Sequence, residues 1–205
     1  MTRKILIGAA LMMGLAVPVA AQDAKTSFFI TSVNPGAGAN LGGLEGADAH
    51  CSSLAEAAGI TGKVWAAYLS SSAEDARDRI GTGPWYNYNG VQVAADVDEL
   101  HSQEEQLSKT NSISESGEPI NGRGDSPNRH DILTGSGLDG RLVGDACEDW
   151  TSESPDGSAM VGHHDRTGGG ANPSSWNAAH GSRGCGLSNL RRTGGDGLFY
   201  CFATN

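Results

Sequence analysis

Apolar residues along this chain gather near its two ends and thin out between them. Residues 27–33, SFFITSV, combine aromatic and β-branched side chains and predict a first strand. Residues 34–43 are turn material, with Pro35 and several glycines. Over 44–58, apolar or small side chains recur at Leu44, Ala47, Cys51, Leu54, Ala55 and Ala58. That spacing of three and four predicts a helix with one buried face, and Gly59 stands where a C-terminal cap belongs. Residues 63–69, KVWAAYL, predict a second strand. Ser71 followed by Glu74 is a capping-box pattern, which predicts a short helix over 71–80 ended by Gly81. Trp85-Tyr86-Asn87-Tyr88-Asn89-Gly90 predicts a turn into a strand over 91–93, and Asp96 with Glu99 predicts a second capped helix near Leu100.

From 102 to 129 the apolar signal almost vanishes, which predicts a long, exposed, mobile insertion. Residues 131–137 then predict a strand leading into the turn Leu138-Asp139-Gly140-Arg141. Cys147-Glu148-Asp149-Trp150 resumes the packed region. Residues 157–184 read as another long loop, rich in glycine, histidine and asparagine. Residues 198–203, LFYCFA, predict a final buried strand. No internal repeat is present.

The first residues read as an address. Arg3 and Lys4 form a positive n-region and residues 5–17 an apolar h-region, shorter than the ~20 residues a membrane-spanning helix needs. Pro18 breaks the run, and Val19-Ala20-Ala21 offers small residues to a signal peptidase. Cleavage after Ala21 is expected, with no lipid anchor because Gln22 follows. Residues 1–21 are thus expected as a signal peptide and 22–205 as one domain of a periplasmic or secreted protein, with no transmembrane anchor. Without Arg3 and Lys4 the 14 basic residues become 12, against 24 acidic ones. Such a surface repels phosphate backbones and disfavours nucleic-acid binding. The 30 glycines raise the question of disorder, which four tryptophans, four cysteines and the terminal apolar runs answer in favour of a loop-rich folded domain. Cys51, Cys147, Cys185 and Cys201 form an even set in an exported chain and predict two disulfides. Spacing leaves all three pairings open, and the close C-x-x-C pairs of a zinc site are missing.

The segment SFFITSVNPGAGANLGGLEGADAHC resembles the opening of bacterial endostatin-like domains, such as those of leptospiral endostatin-like outer-membrane proteins. GKVWAAYLSS, residues 62–71, is similar to the start of animal endostatin, the C-terminal fragment of certain collagens. Gly135-Ser136-Gly137-Leu138-Asp139-Gly140-Arg141, followed by Cys147-Glu148-Asp149-Trp150, resembles the run before that domain's second cysteine. The match covers most of residues 22–205 and departs in the polar insertion and the histidine-rich loop. The resemblance implies an α+β, C-type-lectin-like (endostatin-like) fold with short helices, a twisted and largely antiparallel sheet, long loops and two disulfides. It also implies nested pairing, Cys51 with Cys201 and Cys147 with Cys185. The zinc-binding histidines near the N-terminus of animal endostatin have no counterpart here, and its heparin-binding arginines do not suit so acidic a chain. Sugar-binding C-type lectins hold calcium with Glu-Pro-Asn and Trp-Asn-Asp motifs. Here Glu118-Pro119 is followed by Ile120 and Trp176-Asn177 by Ala178, so the calcium site is incomplete.

Candidate chemistry centres on Gly162-His163-His164-Asp165-Arg166. With His180, the residues His163, His164 and Asp165 form a candidate set of ligands for zinc or another divalent metal. Trp176, Asn177, Arg166, Trp85 and Tyr86 are candidates for contacting a ligand, the aromatic ones by stacking on a sugar. Arg123-Gly124-Asp125 matches the integrin-recognition tripeptide, although so short a match arises often by chance. No G-x-S-x-G elbow appears, and the cysteines are committed to disulfides, so no enzyme activity is expected. The reading is an exported lectin-like binding module that recognises an extracellular or envelope protein or glycan through its long loops. The alternatives are a metal-binding envelope protein, or metal-assisted hydrolase, using the histidine loop, and a structural component of the envelope.

Overall fold

The apolar run near the C-terminus becomes the longest strand, and the rest of the chain is arranged around it. The computed structural model describes residues 25–102 and 104–205; the expected signal peptide lies outside them. In chain order the elements are β1 (Phe28–Ile30), α1 (Gly43–Ala57), β2 (Trp65–Ala67), α2 (Ala76–Arg79), β3 (Trp85–Tyr86), β4 (Gln92–Ala94), α3 (Val97–Leu100), β5 (Asp131–Leu133), the helical turn α4 (Ala146–Trp150), β6 (Met160–His163), β7 (His180–Gly181), α5 (Leu187–Thr193) and β8 (Gly195–Ala203). The fold is mixed α+β with short helices and a mostly antiparallel sheet. Its main sheet runs β1-β8-β5-β6-β7, with β2 also paired to β8, while β3 and β4 form a separate ribbon. The parallel pair is β5 with β8.

Every residue of β8 is buried, because both faces of the sheet are covered. Successive side chains of a strand point to opposite faces, and β8 divides its apolar content accordingly. Phe199, Cys201 and Ala203 enter one core with Phe29, Trp65, Cys51 and Trp150. Leu198, Tyr200 and Phe202 enter a second with Phe28, Ile30, Tyr68 and Trp176. A strand buried on both sides needs apolar residues in an unbroken run, which is why SFFI and LFYCFA do not alternate with polar residues.

The three-and-four spacing of the early helix buries Ala47, Cys51 and Ala55 of α1, with Leu44, Leu54 and Ala58 packed at the margin of the first core. The Asp48 carboxylate accepts the Ala67 N–H at 2.7 Å and pairs with Arg79 at 2.8 Å, which locks α1 to β2. The structure joins Cys51 to Cys201 and Cys147 to Cys185, the nested arrangement. By loop closure alone, crosslinks across 150 and 38 positions are worth about 5 and about 4 kcal/mol respectively.

Three expectations need correction. The insertion at 102–129 is not simply exposed, since Leu107 and Ile120 belong to the second core, Ile113 is buried and Ser114 bridges to Ile30 of β1. A few apolar residues spaced far apart leave little periodic signal, yet they suffice to dock a loop. The loop at 157–184 contains β6 and β7. The helix expected over 71–80 narrows to α2: the Ser71 hydroxyl accepts the Glu74 N–H at 3.2 Å in an isolated turn. Meanwhile the Asp75 carboxylate is drawn away to the Leu142 N–H and Arg141. By contrast α3 is capped reciprocally, Asp96 accepting from the Glu99 N–H and Glu99 from the Ala95 N–H.

The turn α4 is left-handed. Ala146, Cys147, Glu148, Asp149 and Trp150 have φ of 45, 54, 55, 53 and 68°, a conformation costing roughly 1–2 kcal/mol per non-glycine residue. Tertiary bonds hold it: the Trp150 indole donates to the Ser70 carbonyl, Asp149 accepts from the Ser72 N–H, and Cys147 is crosslinked to Cys185.

Candidate metal centre

β5, β6 and β7 lie side by side, and their register gathers histidines around one carboxylate. Asp131 of β5 sits opposite His163 of β6, and Val161 of β6 sits opposite His180 of β7. His130 immediately precedes β5. The Nε2 atoms of His130, His163 and His180 lie 3.0, 3.3 and 3.6 Å from Asp131 Oδ1. The Nε2 atoms of His163 and His180 are 3.0 Å apart. Ligand atoms of the buried trio His130, Asp131 and His163 all fall within 4.8 Å of one another. The His130 and His163 rings stack at 4.4 Å between centroids, which holds their inner nitrogens toward the same place.

The outer nitrogens decide what the inner ones present. His163 Nδ1 lies 2.8 Å from the Pro173 carbonyl oxygen and His180 Nδ1 3.1 Å from that of Gly181. Carbonyl oxygens only accept, so these Nδ1 atoms carry the hydrogens, and in the neutral rings Nε2 is a bare lone pair. His130 stands between two carboxylates, its Nδ1 3.4 Å from Asp165 Oδ1 and its Nε2 3.0 Å from Asp131 Oδ1, which leaves its tautomer open. Two such lone pairs, with His130 Nε2 beside them, face a carboxylate inside the protein. Both Asp131 oxygens are buried and neither has an aligned hydrogen-bond donor among the described residues. Buried polar atoms are rarely left so. A cation among these four groups would relieve the repulsion and satisfy Asp131 together.

The carboxylates make the site attract positive charge, a proton on His163 included. Burial opposes protonation of His163, but the Asp131 carboxylate and the Pro173 carbonyl outweigh it and hold its pKa above the ordinary value. Burial also works against the Asp165 carboxylate, yet His130 and the N–H groups of Arg123 and Thr167 hold its pKa well below the carboxylate range.

The backbone is shaped around the imidazoles. A Cβ at Gly168, whose φ is +145°, would stand 2.5 Å from His163 Cε1. One at Gly194 would stand 2.9 Å from His130 Nε2. No side chain fits at either place, so glycine is what lets the loops close on the rings.

No protein-family model matches the chain, and no curated protein matches it. The centre therefore rests on its own geometry.

Of the expected ligands, the structure brings His163 and His180 together and sets His164 and Asp165 apart. His164 follows His163 at the end of a strand, so its ring points the other way; it is buried with Nε2 3.1 Å from the Asn121 carbonyl, and burial lowers its pKa. Asp165 accepts the Arg123 N–H at 2.6 Å and the Thr167 N–H at 3.2 Å, with its Oδ1 3.4 Å from His130 Nδ1 on the side away from Asp131. His130 and Asp131, the nearest pair to the centre, went unnoticed because they are 32 or more positions from the histidine loop. An adjacent His-Asp at the start of one strand and His-His at the end of another was the available signal.

Of the expected ligand-contacting aromatics, Trp176 and Trp85 are core residues. Trp176 packs on Tyr68 and Tyr200 and donates to the Leu100 carbonyl. Trp85 is buried against Phe202. Tyr86 is half-buried, its hydroxyl donating to Gln92. Asn177 is buried, donating to the Tyr68 hydroxyl and the Gly137 carbonyl. Arg166 pairs with Glu105 and donates to the Ser174 carbonyl. In Arg123-Gly124-Asp125 the aspartate already accepts from the Gly122 N–H and Lys109, so its carboxylate is not displayed alone.

Proposed function

We propose that this chain is an exported metal-binding recognition domain whose centre takes a zinc-class divalent ion through His130, Asp131, His163 and His180. The observation that supports it is the convergence of three imidazole nitrogens on one unsatisfied buried carboxylate. The donor set argues for the metal: three nitrogens and one oxygen suit zinc and its neighbours, whereas calcium and magnesium take oxygen cages and copper(I) takes sulfur. Size agrees as well. Bonds of about 2.0–2.1 Å at tetrahedral angles put donors about 3.3–3.4 Å apart; the three imidazole–Asp131 separations and the His163–His180 one span 3.0 to 3.6 Å. The set mutually within 4.8 Å is His130, Asp131 and His163, so His180 would have to swing in to join them. Four protein donors favour metal held as part of the fold over metal that turns a substrate over. Such an ion would pin β5, β6 and β7 and close the loop at 157–184.

The finer reading of the fold, C-type-lectin-like of the endostatin type, belongs to the same proposal. Its support is the nested cystine pair and the placement of β1 beside the C-terminal strand. Export is supported by the cystines, which persist in oxidising compartments. Among the described residues no helix is long and apolar enough to cross a membrane.

The test is elemental analysis of chain purified without an affinity tag and dialysed against trace zinc. About one zinc per chain is expected, with His163→Ala and Asp131→Asn binding less than about a tenth as tightly, as for loss of a ligand or its close partner. Wild-type protein that stays metal-free, or variants that bind equally well, would overturn the proposal.

A further inference from the structure

Beside the centre lies a cleft of about 450 Å³ whose lining includes His130 and His180 together with Asn128, Thr193, Arg123 and Arg183. Two arginines stand in its lining. Arg77, Arg79, Arg129, Arg141, Arg166 and Arg191 each pair with a carboxylate. Acidic residues outnumber basic ones by 24 to 14 in the whole chain, so such pairing is the expected fate of a guanidinium here. Among the described residues the side chains of Arg123, Arg183 and Arg192 have no carboxylate partner and all three are exposed; the first two line this cleft. They line the same cleft as the imidazoles of His130 and His180.

We infer that this cleft binds a small molecule through an oxyanion, a carboxylate or a phosphate, held between Arg123 and Arg183 in front of the metal. This rests on the metal reading above. Guanidinium is suited to both anions because its planar fork matches two oxygens at once. Asn128 and Thr193 add neutral polar groups that can orient the remainder of the ligand, and the volume suits a small molecule. The metal matters through its charge. With a divalent ion present, the ion and the two guanidiniums outweigh Asp131 and Asp165 behind them; without it, those charges cancel. The acidic surface elsewhere selects against long polyanions, which would be repelled beyond the cleft, and in favour of small ones.

Full-length mature chain, loaded with zinc and desalted, is titrated by calorimetry with inorganic phosphate and, separately, with acetate. Zinc content is measured in the same samples. Binding of at least one probe is expected, and which arm binds assigns the oxyanion. R123A/R183A should retain zinc and lose at least about tenfold in affinity, and chelation should abolish binding in the wild type. Zinc-loaded protein that binds neither probe, or a double variant that binds like the wild type, sinks the cleft inference and leaves the metal centre standing. Failure to take up zinc at all sinks both.

Discussion

Around α1, the sheet is held by side chains that need no partner beyond one another. Phe29, Trp65, Phe199 and Trp150 fill the first core, and Cys51–Cys201 runs through it. Around His163, at the other end of the same sheet, the chain is rich in glycine and polar residues. There the strands are short, the β7 pairing is two residues long, and imidazoles and carboxylates occupy the interior. One end is crosslinked by sulfur and the other gathers residues that could hold a metal. The contrast teaches that a loop-rich domain poor in apolar residues can be ordered by a few strong contacts, of a kind set by the residues each end has available.

The comparison can be broken most forcefully at the sulfur end. Cys51→Ala with Cys201→Ala should lower the unfolding free energy by about 5 kcal/mol, and the Cys147/Cys185 pair by about 4 kcal/mol, read from urea titrations. A smaller loss for the 150-residue crosslink than for the 38-residue one would contradict the ordering.

At the metal end, saturating zinc at about a thousand times its dissociation constant should stabilise the chain by about 4 kcal/mol. Thermal unfolding with and without chelator reads this directly. Asp131→Asn should shrink the difference by at least about 1.4 kcal/mol while leaving both cystines intact. Gly168→Ala sharpens the point, because its methyl would press on His163 without removing a ligand; zinc affinity should drop, with the first core untouched.

A smaller effect separates the second core from the centre. Burial lowers the pKa of His101 beneath its ordinary 6.5, so the unfolded chain takes up this proton first. The contribution is complete above pH 6.5 and is lost as the pH falls below it. In chelated protein, His101→Gln should therefore flatten the decline in stability between pH 7 and pH 5 relative to the wild type. An equal or steeper slope in the variant would remove His101 as its source.

The smallest expected change is a gain. Glu148 is exposed at φ 55° within the left-handed turn, and Glu148→Gly should stabilise the protein by up to about 1 kcal/mol.

Much of the first core was legible in the sequence. The three-and-four spacing marked α1, and SFFI, VWAAYL and LFYCFA marked strands covered on both sides, because burial of that kind leaves a dense local pattern. The histidine end was legible only in part. His163 and His180 stood out as a polar cluster, but His130 and Asp131 join them through strand register, and register is not written in any local window. Adjacent residues on a strand part company, so His164 and Asp165 left the centre that their neighbour entered. Leu107 and Ile120 anchor an insertion whose spacing shows no period. The reversal of handedness at Ala146–Trp150 has no signature at all, since none of its residues is glycine or asparagine.

The most direct measurement is anomalous X-ray diffraction at the zinc edge from crystals of tag-free protein. The account predicts one anomalous peak about 2.0–2.2 Å from Nε2 of His130, His163 and His180 and from an Asp131 oxygen. No peak there, with protonated imidazoles donating hydrogen bonds to Asp131 instead, would contradict it.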